Sequence, residues 1–245
     1  MIKSRNPVLS RGFAYDDLDP DIFSSGRTDQ PPMTIEGVLQ RVGIMFVPLL
    51  AVGVLAYLYA PPGLMLPALL VAFGLGLWAS LSKKVRPGVM LGYAVAEGVV
   101  LGVFSAVFEA RYPGIVAQAV LATLLTAGVV FALYRARIVR ATARFKKIVL
   151  FAGIGYMVFL LVNFVFSLFG AGDGIGIYAT PLGLAVAAFG ATLASAFLVL
   201  DFDTIEQGVA QRAPAEYEWR AAFGLVLTLV WLYIEMLRLI SIIRR

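Results

Sequence analysis

The sequence predicts an all-α integral membrane protein with seven transmembrane helices, and three observations carry this prediction. Of the 245 residues, 60% are apolar and only 14% are charged, whereas about a quarter of the residues in soluble domains are charged. Seven windows are mainly apolar and have the length of about 20 residues that a helix needs to cross a bilayer. Short polar or proline-containing segments separate the windows, so consecutive helices should run antiparallel.

The windows span 42–60, 63–82, 88–108, 114–134, 148–170, 181–202 and 220–243. A tight turn at Pro61, Pro62 and Gly63 separates the first two windows. Pro87 precedes the third window, where proline is tolerated as the first residue of a helix. We therefore expect one transmembrane domain over residues 38–245. The polar residues 1–37 are expected to form a disordered cytoplasmic tail, because they lack the apolar surface needed for a core.

The loop charges predict the orientation, since cytoplasmic loops carry an excess of Lys and Arg. The 4–5 loop has six basic residues between Arg135 and Lys147, and the 2–3 and 6–7 loops are also basic. The 1–2 and 5–6 loops have none, and the 3–4 loop has Arg111 alone. The N-terminus is therefore expected in the cytoplasm and the C-terminus outside. Arg244 and Arg245 oppose this rule, and a last helix that fails to cross fully is the alternative.

The chain contains neither histidine nor cysteine. This excludes Ser-His-Asp triads, histidine metal sites and thiolate nucleophiles. No nucleophile–base pair is visible in the sequence, so we expect no enzymatic activity. Proton sensing near neutral pH would have to rest on carboxylates, because histidine is absent.

Ionisable residues inside membrane segments are functional candidates by default. Helix geometry brings Glu97 and Glu235 near enough in depth to share a pocket, and it favours Thr228 over Glu235 as the neighbour of Asp203. The candidate residues for an ion path and pH sensing are Glu97, Asp201, Asp203, Thr228, Glu235 and Arg238.

Each candidate also has a structural interpretation. Glu235 and Arg238 are three residues apart and would neutralise each other. Glu97 would be a protonated carboxyl that is hydrogen-bonded inside the bundle, and Asp201 and Asp203 would be solvated near the interface. In the functional interpretation, Asp201 and Asp203 form a weak, transient Ca²⁺ site, since Ca²⁺ prefers oxygen ligands. No other cofactor is expected.

Three segments resemble the Bax inhibitor-1 family. The run Leu200-Asp-Phe-Asp-Thr-Ile-Glu206 is similar to the end of that family's sixth helix. Residues Trp231 to Ile240 resemble its last helix, and Tyr93 to Gly98 resemble an element of its third helix. The resemblance covers about residues 38–243 and is strongest to the bacterial YccA-like branch, and the long polar N-terminal segment resembles an actinobacterial-type variant.

The resemblance implies six helices wrapped around a central seventh, and a pH-sensitive calcium leak. It also implies that one acid on helix six and one on helix seven share a proton and hold the pore closed. Asp203 matches the helix-six acid, whereas Thr228 stands at the helix-seven position. A threonine cannot share a proton as a carboxylate does, so the usual acid pair is incomplete and Asp203 would bond Thr228 instead.

The leading hypothesis is a cation leak that uses buried carboxylates in a bacterial plasma membrane. A non-conducting regulator that binds a membrane-bound quality-control protease through the tail is the alternative. A proton-coupled transporter for small molecules is the third. The protein is expected to be a monomer or weak oligomer in the lipid bilayer. No nucleic-acid partner is expected, because the basic 4–5 loop is a topology signal that also meets anionic lipid headgroups.

Overall fold

A computed structural model describes residues 31–169 and 176–245. Within these residues, seven helices are long and apolar enough to cross a membrane, which confirms the predicted fold class. Short 3₁₀ turns over Pro62–Leu64 and Gly176–Ala179 precede the second and sixth helices. We number the helices α1 (Ile35–Tyr59), α2 (Met65–Leu81), α3 (Pro87–Arg111), α4 (Ile115–Arg135), α5 (Ala143–Leu168), α6 (Gly183–Ala210) and α7 (Tyr217–Ile243).

Several helices extend beyond the apolar windows into polar sequence. The Thr34 side chain caps α1 by accepting a hydrogen bond from the Gly37 amide, so α1 begins before residue 38. Thr142 caps α5 in the same way, and such caps satisfy amides that have no partner within the helix. Most of the predicted tail, residues 1–30, lies outside the described part of the chain, and its disorder stays a prediction.

Helix α7 occupies the centre of the bundle together with α3. It packs against α1, α3, α4 and α6, whereas α2 packs on α3 and α5 packs on α6. The buried share of the apolar window is 56% in α3, 44% in α6 and α7, and at most 17% in the other four helices. The seventh helix is therefore central, but α3 shares that position, and α2 and α5 are peripheral.

Two glycines let α3 approach α1 closely. A Cβ atom at Gly98 would lie 2.6 Å from the Leu49 carbonyl oxygen, and one at Gly102 would lie 2.7 Å from the Ala56 Cβ. Small residues four apart permit this kind of contact between membrane helices. The pair Gly98 and Gly102 thus fixes the position of α1 beside the central helix α3.

Helix α7 extends through the whole bundle. Its 27 residues span about 40 Å. In the loop that precedes α7, the Ala213 carbonyl accepts a hydrogen bond from the Met33 amide at 2.7 Å. Just past its other end, Arg244 donates to the Pro113 carbonyl at 3.1 and 3.2 Å, and Arg245 donates to the Tyr178 carbonyl at 2.8 Å. This geometry favours full crossing over a short last helix.

Candidate functional site

One face of α7 carries most of the candidate chemistry. Spacings of four, three, four and three residues place its members on a single helical stripe. The stripe faces α6, because two of its members contact α6 residues. We call these residues the polar face of α7: Gly224, Thr228, Trp231, Glu235 and Arg238.

Glu235 is completely buried, with 0% of its surface exposed. Its Oε1 accepts hydrogen bonds from the Tyr156 hydroxyl at 2.9 Å, the Trp231 indole at 3.1 Å and the Arg238 guanidinium at 3.1 Å. Its Oε2 is buried and has no hydrogen-bond partner among the described residues. Since buried carboxylate oxygens are normally paired, the unpaired Oε2 is a candidate position for a proton or a cation.

A glycine on α6 makes room for this carboxylate. A Cβ atom at Gly190 would lie 2.7 Å from the Glu235 Cδ and 2.8 Å from its Oε2, and it would also clash with the Tyr156 hydroxyl. Any larger residue would therefore displace Glu235 or Tyr156. The Arg238 interaction predicted from the i,i+3 spacing is present, but it is one of three bonds to the same oxygen.

Tyr178 covers Glu235 on the side of the 5–6 connection. Its hydroxyl lies 3.2 Å from the Tyr156 hydroxyl, and Tyr178 is the donor because Tyr156 donates to Glu235. The Arg238 guanidinium lies 5.0 Å from the Tyr178 ring centroid, within cation–π range. Burial raises the pKa of the Tyr178 phenol, so it acts as a neutral donor.

Asp201 is the α6 acid that faces Thr228. Its Oδ2 is buried and unpaired within the described part of the chain. The Thr228 side chain is the hydrogen-bonding neighbour of this carboxylate, and the Thr228 hydroxyl also donates to the Gly224 carbonyl at 3.2 Å. The expected contact between Asp203 and Thr228 is therefore wrong, and Asp201 takes that place.

Asp203 points to a different side of α6, because residues two apart on a helix do not share a face. Its Oδ2 lies 2.6 Å from the Lys146 Nζ and accepts from Gln207 at 2.6 Å. Asp201 and Asp203 thus do not converge as expected for a calcium site. Among the described residues, no group of three or more acidic, His or Cys side chains is arranged to hold a metal ion.

Glu97 lies on the α3 side of α7. It is buried, and its hydrogen-bonding neighbour is Tyr93, whose ring meets the Phe223 ring edge-on at 5.2 Å. Because Glu97 follows Tyr93 by one turn, Glu235 lies about 12 Å farther along the bundle. The predicted shared pocket of Glu97 and Glu235 is therefore wrong.

Glu218, which no sequence motif marks, is buried at the start of α7. It accepts hydrogen bonds from the Thr34 amide at 2.8 Å and the Thr34 hydroxyl at 3.2 Å, and it forms an ion pair with Arg41. Residues 31–34 also pair with residues 213–215 of the 6–7 loop. We call this assembly of residues 31–34, Arg41, residues 213–215 and Glu218 the clasp. Thr34 and Glu218 are 184 residues apart, so no local pattern predicts the clasp.

Seven membrane-crossing helices with acidic groups buried along α7 define a multi-pass membrane protein with an ionisable interior. The family model described as Bax inhibitor 1 like matches residues 6–245. The chain therefore belongs to the Bax inhibitor 1-like family, as its three sequence segments indicated. A search of curated proteins found no match. Membership of the YccA-like branch stays a prediction.

Proposed function

We propose that the protein is a cation leak of the bacterial plasma membrane, controlled by protonation of Asp201 and Glu235. The supporting observation is that each of these carboxylates has one buried oxygen without a partner among the described residues. Both lie along the polar face of α7, where it meets α6. Carboxylate oxygens are the ligands that hard cations such as Ca²⁺ prefer, so a transient cation would pass between these two positions.

An aromatic layer closes the interface between the two acids. The Trp231 ring lies 5.4 Å from the Phe197 ring and 5.9 Å from the Tyr156 ring, between centroids. The Trp231 indole is held by its hydrogen bond to Glu235. A cation that draws the Glu235 carboxylate away removes the acceptor of Trp231, and the aromatic layer then loosens. The structure therefore corresponds to the closed state in this proposal.

Protonation of Asp201 changes the charge of this side chain and its hydrogen bonding. The Thr228 hydroxyl donates to Gly224, and it can accept a hydrogen bond from a protonated Asp201 or donate one to the Asp201 carboxylate. The protonated carboxyl is neutral, whereas the carboxylate adds a negative charge at the interface of α6 and α7 that attracts a cation. No charged side chain in the described ranges pairs with Asp201, and Glu235 faces Arg238. We therefore expect the leak to increase as the pH rises.

Liposomes that contain a calcium-sensitive dye would test the proposal from about pH 5 to pH 8. Asp201→Asn imitates the protonated acid, because its amide donates to Thr228, and we expect a low leak at every pH. Glu235→Gln removes the charged ligand and is expected to reduce the flux. Glu97→Gln is the matched control, since Glu97 is a buried acid on the α3 side, and its flux should equal that of the parent.

Two results would contradict the proposal. One is the absence of flux at every pH from correctly inserted protein. The other is an equal loss of flux in Glu97→Gln, Asp201→Asn and Glu235→Gln, because buried acids would then matter only for folding.

The clasp favours a second candidate function, a regulator that binds a membrane-bound quality-control protease through the N-terminal residues. Residues 31–34 are hydrogen-bonded to the 6–7 loop and to Glu218. A partner that binds residues 1–30 would therefore affect the start of α7 through these hydrogen bonds. Deletion of residues 1–30 keeps the clasp and tests this candidate. Loss of protease co-purification with unchanged flux supports it, and unchanged co-purification contradicts it.

The transporter hypothesis has no observation in its favour among the contacts described above, and it stays a prediction. The absence of enzymatic activity, the monomeric or weakly oligomeric state and the cytoplasmic N-terminus likewise remain proposals.

A further inference from the structure

Three arginines line one open pocket at the end of the bundle opposite the clasp. Arg111 ends α3, and Arg244 and Arg245 follow α7. The pocket has a volume of about 830 Å³. Its lining residues are Val107, Ala110, Arg111, Tyr112, Arg244 and Arg245.

These arginines depart from the charge pattern of this end of the molecule. The connecting segments 60–64, 112–114 and 169–182 contain no lysine or arginine. Basic residues of membrane proteins are concentrated on the opposite, cytoplasmic side. The loops on this side of the bundle contain few basic residues. Three arginines in one pocket there therefore indicate a role that is specific to the pocket.

The three guanidinium groups keep their positive charge available. Arg244 and Arg245 donate to main-chain carbonyls, those of Pro113 and Tyr178, which orient the side chains without neutralising them. Arg111 has no hydrogen bond or ion pair to any residue that the structure describes. The pocket therefore contains two positioned arginines and one that is free to bind a ligand.

The acid nearest to this cluster is already engaged. Glu109 accepts hydrogen bonds from the Gly114 amide at 2.5 Å and the Val116 amide at 3.0 Å. It attracts Arg244 at longer range, but it forms no ion pair with the arginines of the pocket in the described ranges. One engaged side-chain carboxylate against three guanidinium groups leaves the side chains around the pocket with a net positive charge.

We propose that this pocket binds a phosphate group, either in the headgroup of an anionic phospholipid or as free phosphate. The planar guanidinium fork matches phosphate oxygens with two parallel hydrogen bonds. The side chain of Val107 is 48% exposed and, with Ala110, forms an apolar wall beside the arginines. An acyl chain fits along this wall while its phosphate meets Arg111. The proposal is independent of the cation leak.

Because the chain contains no cysteine, an introduced cysteine is its single site for thiol labelling. Ala110→Cys, labelled with an environment-sensitive fluorophore in a phosphate-free maltoside detergent, reports on the pocket. Short-chain phosphatidylglycerol, inorganic phosphate and short-chain diacylglycerol are titrated in parallel. Native mass spectrometry of the unlabelled protein repeats the titration, so that a blocking effect of the label is detected.

We expect saturable binding of the phosphate-containing probes and weaker binding of diacylglycerol. Arg111→Gln should weaken binding about tenfold, the effect of one charge-assisted hydrogen bond. Arg135→Gln, which removes an arginine at the far end of α4, should leave the affinity unchanged. Binding of phosphatidylglycerol alone identifies a lipid headgroup, and equal binding of inorganic phosphate identifies free phosphate. The proposal fails if neither probe saturates in either measurement, or if Arg111→Gln binds as the parent does.

Discussion

The side chain of Thr228 on α7 lies beside the half-buried carboxylate of Asp201 on α6. This contact joins an acid to an alcohol, so one titratable group controls it. The alcohol donates to Gly224, and it can accept from a protonated Asp201 or donate to the Asp201 carboxylate. The contact therefore contains a single titratable group, which distinguishes it from a pair of acids that share a proton.

Thr228→Val should weaken the closure of the leak at acidic pH. Valine has the shape of threonine but cannot accept a hydrogen bond, so protonated Asp201 loses its partner. A hydrogen bond contributes about 1 kcal/mol, and we expect the leak near the acidic end of the profile to rise about fivefold. The calcium-dye liposome assay measures this. Thr228→Ser keeps the hydroxyl and should retain the parent profile, and an unchanged profile in the valine variant would refute the link.

Gly190→Ala should destabilise the protein and disturb Glu235. The added Cβ atom would lie 2.7 Å from the Glu235 Cδ, and such overpacking costs about 1–3 kcal/mol. Thermal unfolding in detergent measures the change. Gly155→Ala is the matched control, because a Cβ atom there meets nothing within 4 Å. Equal melting temperatures for the two variants would show that the close contact does not constrain the site.

Hydropathy predicted the seven helices because a helix that crosses a bilayer requires a long apolar segment. A single polar residue changes the mean hydropathy of such a segment only slightly. It located the helix ends less well. Residues such as Glu36 and Arg41 are polar, yet they belong to α1 because Thr34 caps the helix and Glu218 pairs with Arg41. Helices of membrane proteins continue into the polar interface, where their amino-acid composition no longer distinguishes them from loops.

The candidate site was only partly predictable. Depth along a helix follows from residue number, but the face that a side chain presents depends on the rotation of each helix. This is why Asp203 was matched with Thr228, although Asp201 faces it and Asp203 pairs with Lys146. The three donors to Glu235 come from α5 and α7, and no local spacing reveals the contribution of Tyr156.

Glu218→Gln should release the clasp. Glutamine cannot form the ion pair with Arg41, and removal of one partner of a buried pair costs about 3 kcal/mol or more. The partial exposure of the Arg41 side chain, 23%, reduces this cost to about 1–2 kcal/mol. Hydrogen exchange should accelerate at the amides of Thr34 and Met33, which bond to Glu218 and Ala213.

The control for the clasp is Glu36→Gln. Glu36 is exposed in the first turn of α1, so its replacement changes the charge near the clasp without removing a clasp contact. Exchange at Thr34 and Met33 should stay at the parent rate. If Glu218→Gln exchanges no faster than this control, the backbone pairing of residues 31–34 is sufficient and the ion pair is not needed.

Single cysteines should establish the orientation of the bundle, because the parent chain has none. Thr180 and Lys84 are exposed in connections at opposite ends of the bundle. The basic loops predict that Lys84 faces the cytoplasm. In intact cells, a membrane-impermeant maleimide should label Thr180→Cys, and it should label Lys84→Cys only after permeabilisation. The reverse pattern would place the clasp outside and the three-arginine pocket in the cytoplasm, and a tail-binding cytoplasmic partner would then be excluded.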